Sequence, residues 1–166
     1  MFFDSEFEAE TISRESDYAL GVGKEIVWST PSGSQIVTIL PNTVYNPRED
    51  TDLLAETIFS RGRDGGRRLF EIGVGSGVVS LMAATSGWKV SGCDINPMAV
   101  ACTRELLKKN DIDFDSISEG GPGYENSSHW MGKGKYDLIV WNLPYLEIPK
   151  EGEPLLGPLE ESGLLN

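Results

Sequence analysis

A run of strand-forming residues near position 140 ends in Asn142, Leu143, Pro144 and Tyr145. The side-chain oxygen of Asn142 and the main-chain carbonyl of Leu143 are two adjacent hydrogen-bond acceptors. Such a pair suits a target with two N–H donors, which is an NH2 group on a planar carbon. Pro144 would stiffen the turn, and the ring of Tyr145 offers a flat face on which an amide or a base can stack. The four residues therefore predict a binding site for a planar nitrogen group.

A second group of candidate residues follows the first strand predicted for the core. The loop there reads EIGVGSGVV and supplies Glu71, Gly73, Gly75 and Gly77. Glycines permit a tight turn and let a ligand lie against the main chain with no Cβ in the way. The sixth position of the dinucleotide fingerprint G-x-G-x-x-G is Val78 here, so NAD is disfavoured.

Asp94 ends the next predicted strand, 23 residues after Glu71. A carboxylate at that place can accept hydrogen bonds from both hydroxyls of a ribose, and it fits a ligand that has no phosphate on that ribose. Ligands of parallel sheets bind outside the carboxyl ends of the strands. We therefore expect Asp94, the glycine loop and Asn142 to border one crevice.

Alternating patterns of strand and helix predict the fold that must bring these residues together. Two β-rich runs, 25–29 and 34–40, flank a proline-containing turn and predict a hairpin. A helix follows, with Asp50 or Thr51 as its cap and an end near Gly62. Its expected apolar face consists of Leu53, Leu54, Ile58 and Phe59.

Downstream, four predicted strands alternate with two predicted helices. The strands cover 68–73, 89–94, 113–118 and 136–142, and the helices cover 78–86 and 97–110. This alternation produces βαβ units and a parallel sheet. The predicted fold class is therefore α/β, a Rossmann-like sheet with helices on both faces, preceded by a β-hairpin. We expect residues 1–43 to form an acidic N-terminal segment and the hairpin, and residues 44–166 to form the sheet domain.

The charge distribution makes nucleic acid a less favoured partner. The formal net charge of −12 is concentrated at the two ends of the chain. Residues 1–20 contain six acidic side chains against Arg14, and residues 147–166 contain five against Lys150. A strongly basic face, which is the usual footprint of a nucleic-acid binder, is not evident from this composition.

The cysteines and the hydropathy indicate whether the protein has a metal site, a disulfide framework or a membrane span. Cys93 and Cys102 have no spacing that suggests a zinc site or a disulfide framework, so we expect small core residues and no metal. No apolar run approaches the roughly 18 residues of a membrane span, and the acidic start lacks a basic n-region. We therefore expect a cytoplasmic protein without a membrane partner.

The motifs resemble those of a known family in four ordered places. The pattern E-x-G-x-G-x-G followed by Asp94 resembles the first motif of S-adenosylmethionine (SAM) methyltransferases, and NLPY resembles their N-P-P-Y motif in enzymes that act on amino groups. VYNPREDTDLL at 44–54, EIGVGSGVVS and DINPMAVACT resemble segments of HemK-type glutamine methyltransferases, in particular the eukaryotic and archaeal branch. The resemblance runs from about Val44 to Tyr145 and implies a class I SAM methyltransferase fold.

The resemblance also implies an activity and a set of site residues. The reaction would methylate the side-chain amide of the glutamine in the G-G-Q loop of a class I translation release factor, with SAM as cofactor and S-adenosylhomocysteine as product. Asn142, Pro144 and Tyr145 would hold the glutamine, and a small zinc-binding activator protein would be a further partner. The cofactor site would include Thr51 near the methionine end, Glu71, Gly73, Gly75, Gly77, Asp94 at the ribose, Glu119 at the adenine and Asn142.

Two alternative functions remain open at this point. Leu143 replaces the first proline of N-P-P-Y, and NLPY is also typical of rRNA adenine dimethyltransferases, although the acidic balance and VYNPREDT argue against that family. Only 21 residues follow Tyr145, whereas the fold normally has three more strands. We therefore expect those strands to be missing. Either the chain is truncated, or the hairpin, a second copy or a partner covers the sheet edge in their place. A shortened domain that binds SAM or a partner without activity is the second alternative.

Overall fold

The computed structural model describes residues 23–62, 65–123, 131 and 134–143. The strands and helices are β1 (Lys24–Ser29), β2 (Gln35–Leu40), α1 (Glu49–Ser60), β3 (Arg68–Ile72), α2 (Val78–Thr85), β4 (Lys89–Asp94), α3 (Pro97–Lys109), β5 (Ser116–Glu119) and β6 (Leu138–Trp141). The described part contains no helix that is long and apolar enough to cross a membrane. The expectations for residues 1–22 and 144–166 lie outside the described residues.

The predicted hairpin is confirmed. Strands β1 and β2 pair antiparallel, and the amide of Gly33, which has φ 85°, donates to the carbonyl of Thr30 at 2.9 Å in the turn. Trp28 of β1 is buried, and its indole nitrogen donates to Asp52 of α1 at 2.7 Å. The hairpin is therefore bonded to the helix that follows it, and its buried residues contribute to the main core.

The parallel sheet is also confirmed, with the strand order β5-β4-β3-β6. Strand β3 pairs parallel with β4 on one side and with β6 on the other. Strand β4 pairs parallel with β5, so the four described strands point in one direction. All four carboxyl ends consequently meet at one edge of the sheet.

The main core lies on one face of this sheet. It includes one inward side chain from each strand of the sheet and the buried apolar residues of all three helices. The strand residues are Leu69, Val90, Ile117 and Val140. On the other face, Phe70 and Cys93 form a small second cluster with Tyr136, whose ring centre lies 4.9 Å from that of Phe70. Both cysteines are free and buried, as predicted.

Helix α1 differs from its prediction in both its start and its buried face. Its N-cap is Arg48, which has an extended backbone and whose carbonyl accepts from the amide of Asp52 at 3.0 Å. Thr51 lies inside the first turn, where its hydroxyl accepts from the Arg48 amide at 3.2 Å. The buried residues are Thr51, Ala55 and Ile58. Leu53 and Phe59 are 66% and 38% exposed, so the predicted apolar face was wrong for these two residues.

The other bounds agree with the sequence pattern except in β5. Helix α3 begins after Asn96, whose side-chain oxygen accepts from the amide of Met98 at 2.9 Å as a cap. Strand β5 begins at Ser116, later than predicted. Ile112 and Phe114 pack against the core from the preceding connection instead of pairing with β4.

We predict that Gly92→Ala destabilises the protein. A Cβ at Gly92 would overlap a methyl group of Val74 and lie 2.8 Å from the carbonyl oxygen of Glu71, so the expected loss is at least about 1–3 kcal/mol of unfolding free energy. Gly65→Ala is the matched control, because a Cβ there meets nothing within 4 Å. Urea denaturation followed by circular dichroism measures both variants, and equal stability of the two would contradict the assignment.

Candidate active site

The candidate residues meet at the carboxyl edge of the four-stranded sheet. Gly73 follows β3, Asp94 ends β4, and Glu119 ends β5 in register with Asp94. Asn142 follows β6, whose last residue Trp141 is in register with Ile72 of β3. The structure therefore brings the glycine loop, two carboxylates and the carboxamide to the edge where the four parallel strands end.

The glycine loop is held against the end of β4. Gly73, Gly75 and Gly77 have φ values of 73°, 48° and 79°, which strain any residue with a Cβ. The amide of Gly75 donates to Oδ2 of Asp94 at 2.9 Å, and the amide of Gly73 donates to the carbonyl of Cys93 at 2.8 Å. These two hydrogen bonds fix the position of the loop relative to the end of β4.

The three glycines differ in their surroundings. A Cβ at Gly73 or Gly75 would meet nothing closer than 3.9 Å, which is an ordinary van der Waals distance, and the group nearest to Gly73 is the indole of Trp141. A Cβ at Gly77 would lie 2.8 Å from the hydroxyl of Thr103. Gly77 is thus required where the loop enters α2 and packs on α3, whereas no close contact within the fold requires glycine at 73 or 75, where the positive φ favours it.

Both carboxylate oxygens of Asp94 accept backbone hydrogen bonds. Oδ1 accepts from the amide of Asn96 and Oδ2 from that of Gly75, both at 2.9 Å. A carboxylate has about four lone-pair directions, so both oxygens can accept again. Burial raises the pKa of Asp94, and the backbone hydrogen bonds from Asn96, Gly75 and Ile95 oppose this shift.

Glu71 lies beneath the loop and not on its open side. It is 3% exposed, and the hydroxyl of Ser80 donates to its Oε2 at 2.5 Å. Burial raises the pKa of Glu71 to about 8; the Ser80 hydrogen bond lowers it and the negative charge of Asp94 adds to the rise. The side chain is therefore mainly neutral at pH 7.

The Asn142 carboxamide is half-buried and is hydrogen-bonded to the first turn of α1. Its Nδ2 donates to Oδ2 of Asp50 at 2.9 Å, across 92 positions of sequence. Because an ionised carboxylate only accepts hydrogen bonds, the NH2 end of Asn142 faces Asp50. The side-chain oxygen of Asn142 is then directed elsewhere. The sequence analysis named Asp50 only as a possible helix cap within VYNPREDTDLL and not as a residue of the site.

The remaining predicted residues have varied positions. Thr51 is buried in the first turn of α1, where its hydroxyl accepts from Arg48, and the side chain of Glu119 is exposed. Leu143 is 56% exposed. Pro144 and Tyr145 lie outside the described residues. No cluster of three His, Cys, Asp or Glu side chains suited to a metal ion occurs among the residues that the structure describes.

The raised pKa of Glu71 predicts a pH dependence of stability. Its ordinary pKa is 4.5 and its pKa in the folded protein is about 8, so its stabilising contribution is complete below pH 4.5 and is lost as the pH rises through 8. Glu71→Gln keeps an acceptor for Ser80 and stays neutral. We expect the unfolding free energy of the wild type to fall relative to this variant by up to about 1.4 kcal/mol per pH unit over that interval.

Urea denaturation at a series of pH values between 5 and 8 tests this expectation. Glu56→Gln, which removes an exposed acid of α1, is the control and should follow the wild type. If the unfolding free energies of the wild type and of Glu71→Gln changed with pH in parallel, the pKa of Glu71 would not be raised in the folded protein.

Two named relatives share sequence with this chain. Methyltransferase HEMK2 of Mus musculus is 36% identical over 116 residues, which cover 65% of this chain and 51% of the relative. Release factor glutamine methyltransferase of Streptococcus pneumoniae is 32% identical over 121 residues, which cover 66% of this chain and 38% of the relative. The chain thus spans about half the length of these relatives or less. The matches confirm the predicted resemblance to HemK-type glutamine methyltransferases.

A solved structure and a family model complete the comparison. The 16S rRNA methyltransferase RsmC of T. thermophilus, in complex with AdoMet and guanosine, superposes with a TM-score of 0.59. It covers 87% of this chain and 38% of its own, at 16% identity, so it confirms the fold alone. The model described as the methyltransferase small domain matches residues 48–153. The chain therefore belongs to the methyltransferase small domain family.

Proposed function

We propose that this chain is a SAM-dependent methyltransferase whose target is a planar NH2 group, namely the side-chain amide of the glutamine in the G-G-Q loop of a class I translation release factor. The observation that carries the proposal is the Asn142 carboxamide, which lies at the sheet edge beside the glycine loop with its NH2 end turned to Asp50. This arrangement supports Asn142 as an acceptor for a nitrogen donor.

The residues of the glycine loop and of β4 fit SAM. The absence of a Cβ at Gly73 and Gly75 would let a ligand approach the main chain, and the two oxygens of Asp94 can each accept from a ribose hydroxyl. Glu119, in register with Asp94, would contact the adenine, and Thr51 would lie near the methionine end. SAM supplies a methyl group on a sulfonium, which makes it electrophilic, and S-adenosylhomocysteine is the product.

The protein's own task is to orient a poor nucleophile. An amide nitrogen reacts weakly because its lone pair is delocalised into the carbonyl. If Oδ1 of Asn142 and the carbonyl of Leu143 accept its two N–H groups, the lone pair is turned toward the methyl group, and this alignment is itself a large catalytic contribution. The N–CH3 bond forms as the S–CH3 bond of SAM breaks, and the nitrogen then loses one proton to water, so no strong base need act first. Pro144 and Tyr145 would complete the pocket by stiffening the turn and stacking on the target.

Replacement of Asn142 tests the acceptor role. Asn142→Ala should lower methyl transfer from labelled SAM to a release factor by about 10²–10³-fold, because one oriented hydrogen bond to the reacting group is lost. SAM affinity should persist. Asn110→Ala, at the C-terminal end of α3, is the control. Undiminished transfer by Asn142→Ala, or transfer to a release factor whose target glutamine is replaced, would refute the proposal.

Replacement of Asp94 tests the cofactor site separately. Asp94→Asn should weaken SAM binding about 10–100-fold in calorimetry, because hydrogen bonds to a charged acceptor become neutral ones. Asp111→Asn removes an exposed carboxylate at φ 54°, a conformation that Asn tolerates, and should leave SAM affinity unchanged. Equal affinities of the two variants would contradict the assignment.

Leu143 favours a second candidate, an adenine amino group in RNA or DNA, because NLPY is typical of adenine methyltransferases. The same two acceptors would receive the two N–H groups of adenine, and the base would have to leave its stack. Labelled methyl groups on nucleic acid and not on the release factor would select this candidate. SAM binding without transfer to either substrate would indicate a domain that binds but does not catalyse.

The release factor and a small zinc-binding activator protein are the proposed partners. Release factors act during translation, so the proposal assigns the protein to the cytoplasm. Transfer assays with and without the activator protein test whether the chain needs it.

A further inference from the structure

We propose that Asp50 is a positioning residue that determines which end of the Asn142 carboxamide faces the target nitrogen. This inference rests on the proposed role of Asn142. It assigns to the first turn of α1 a part in the reaction, although Asp50 itself need not touch the substrate.

A carboxamide has two ends of nearly equal size and opposite hydrogen-bonding character. Its oxygen accepts and its NH2 group donates, so a half-turn about the last bond exchanges an acceptor for a donor. A target NH2 group offers two donors. It is bound when it meets the oxygen of Asn142 and is repelled when it meets the nitrogen. The orientation of Asn142 therefore decides whether the pocket can hold its target.

The hydrogen bond from Asn142 Nδ2 to Asp50 Oδ2 selects one of these orientations. At 2.9 Å it is a charge-assisted bond to a group that only accepts. The reverse orientation would place Oδ1 of Asn142 against a carboxylate oxygen, which is repulsive. Asp50 therefore turns the oxygen of Asn142 away from α1.

The Asp50 carboxylate is itself held in place by the start of α1. Its Oδ1 accepts from the amide of Thr51 at 2.7 Å and from the Thr51 hydroxyl at 3.3 Å. Its Oδ2 accepts from the hydroxyl of Tyr45 at 3.3 Å as well as from Asn142. A carboxylate with one oxygen bound to the helix and the other directed at Asn142 is preorganised for this task.

Two substitutions at Asp50 separate orientation from simple support. In Asp50→Asn the new side-chain oxygen should remain with the Thr51 amide, because that N–H needs an acceptor. The new NH2 group then takes the place of Oδ2 and faces the NH2 group of Asn142. This donor pair should force Asn142 to rotate. In Asp50→Ala no group opposes either orientation, and water can bind to Asn142.

The inference therefore predicts an unusual order of activity. The isosteric variant Asp50→Asn should lower kcat about 100-fold and Asp50→Ala only about 10-fold, with little change in SAM affinity. A residue that only supported the fold would give the opposite order, since Asn preserves shape and most contacts.

Asp52→Asn is the matched control. It removes one acid from the same helical turn, but Asp52 accepts from the indole of Trp28 at 2.7 Å and the new oxygen can do the same. Its kcat should equal that of the wild type. If Asp52→Asn lowered kcat as much as Asp50→Asn does, the inference would be overturned. The loss would then come from removing a negative charge from the first turn of α1 and not from the orientation of Asn142.

The side-chain NH2 signal of Asn142 in ¹⁵N NMR spectra provides a readout that does not depend on activity. We expect this signal to shift in both Asp50 variants and to stay in place in Asp52→Asn. An unchanged signal in Asp50→Ala, or a kcat of Asp50→Asn at or above that of Asp50→Ala, would overturn the inference.

Failure of the proposed function gives a different result. If the wild-type chain methylates nucleic acid and not the release factor, the glutamine substrate is wrong and the order of the Asp50 variants is measured on nucleic acid. If the wild type methylates neither, the proposed function fails, and the NMR comparison alone decides whether Asp50 sets the orientation of Asn142.

Discussion

The parallel pairing of β3 with β4 on one side and β6 on the other is the constraint on which the candidate site depends. It places the loop after β3 between a carboxylate at the end of β4 and a carboxamide after β6. Parallel strands end at the same edge, so residues that are far apart in sequence become neighbours there. An antiparallel β6 would move Asn142 to the other end of the sheet, and the two halves of the site could not meet.

The two acids near this edge differ in how deeply they are buried. Glu71 is enclosed under the loop beside Ser80 and is mainly neutral at pH 7, whereas Asp94 is partly accessible and receives backbone hydrogen bonds. A neutral Glu71 avoids a second buried negative charge next to Asp94. Asp94 can then serve both the loop, through the Gly75 amide, and a ligand. The position of the loop and the proposed contact with a ribose therefore depend on the same carboxylate.

Folding and site geometry also share residues at the start of α1. Thr51 accepts from the Arg48 amide and donates to Asp50, while Asp50 accepts from Asn142. Trp28 of the hairpin holds the same helical turn through Asp52. The hairpin, the helix start and β6 are consequently linked, so the carboxamide is supported by elements from three distant parts of the chain.

The sequence by itself determined the succession of strands and helices along the chain, the glycine loop and the meeting of Asp94 and Asn142 at one edge. These features follow from interactions between close neighbours in sequence and from the rule that parallel strands align their carboxyl ends. Only the tertiary structure decided the buried face of α1, the protonation of Glu71 and the contact between Asp50 and Asn142. Each of these depends on which groups exclude water or donate hydrogen bonds across the fold, and local sequence patterns do not encode that information.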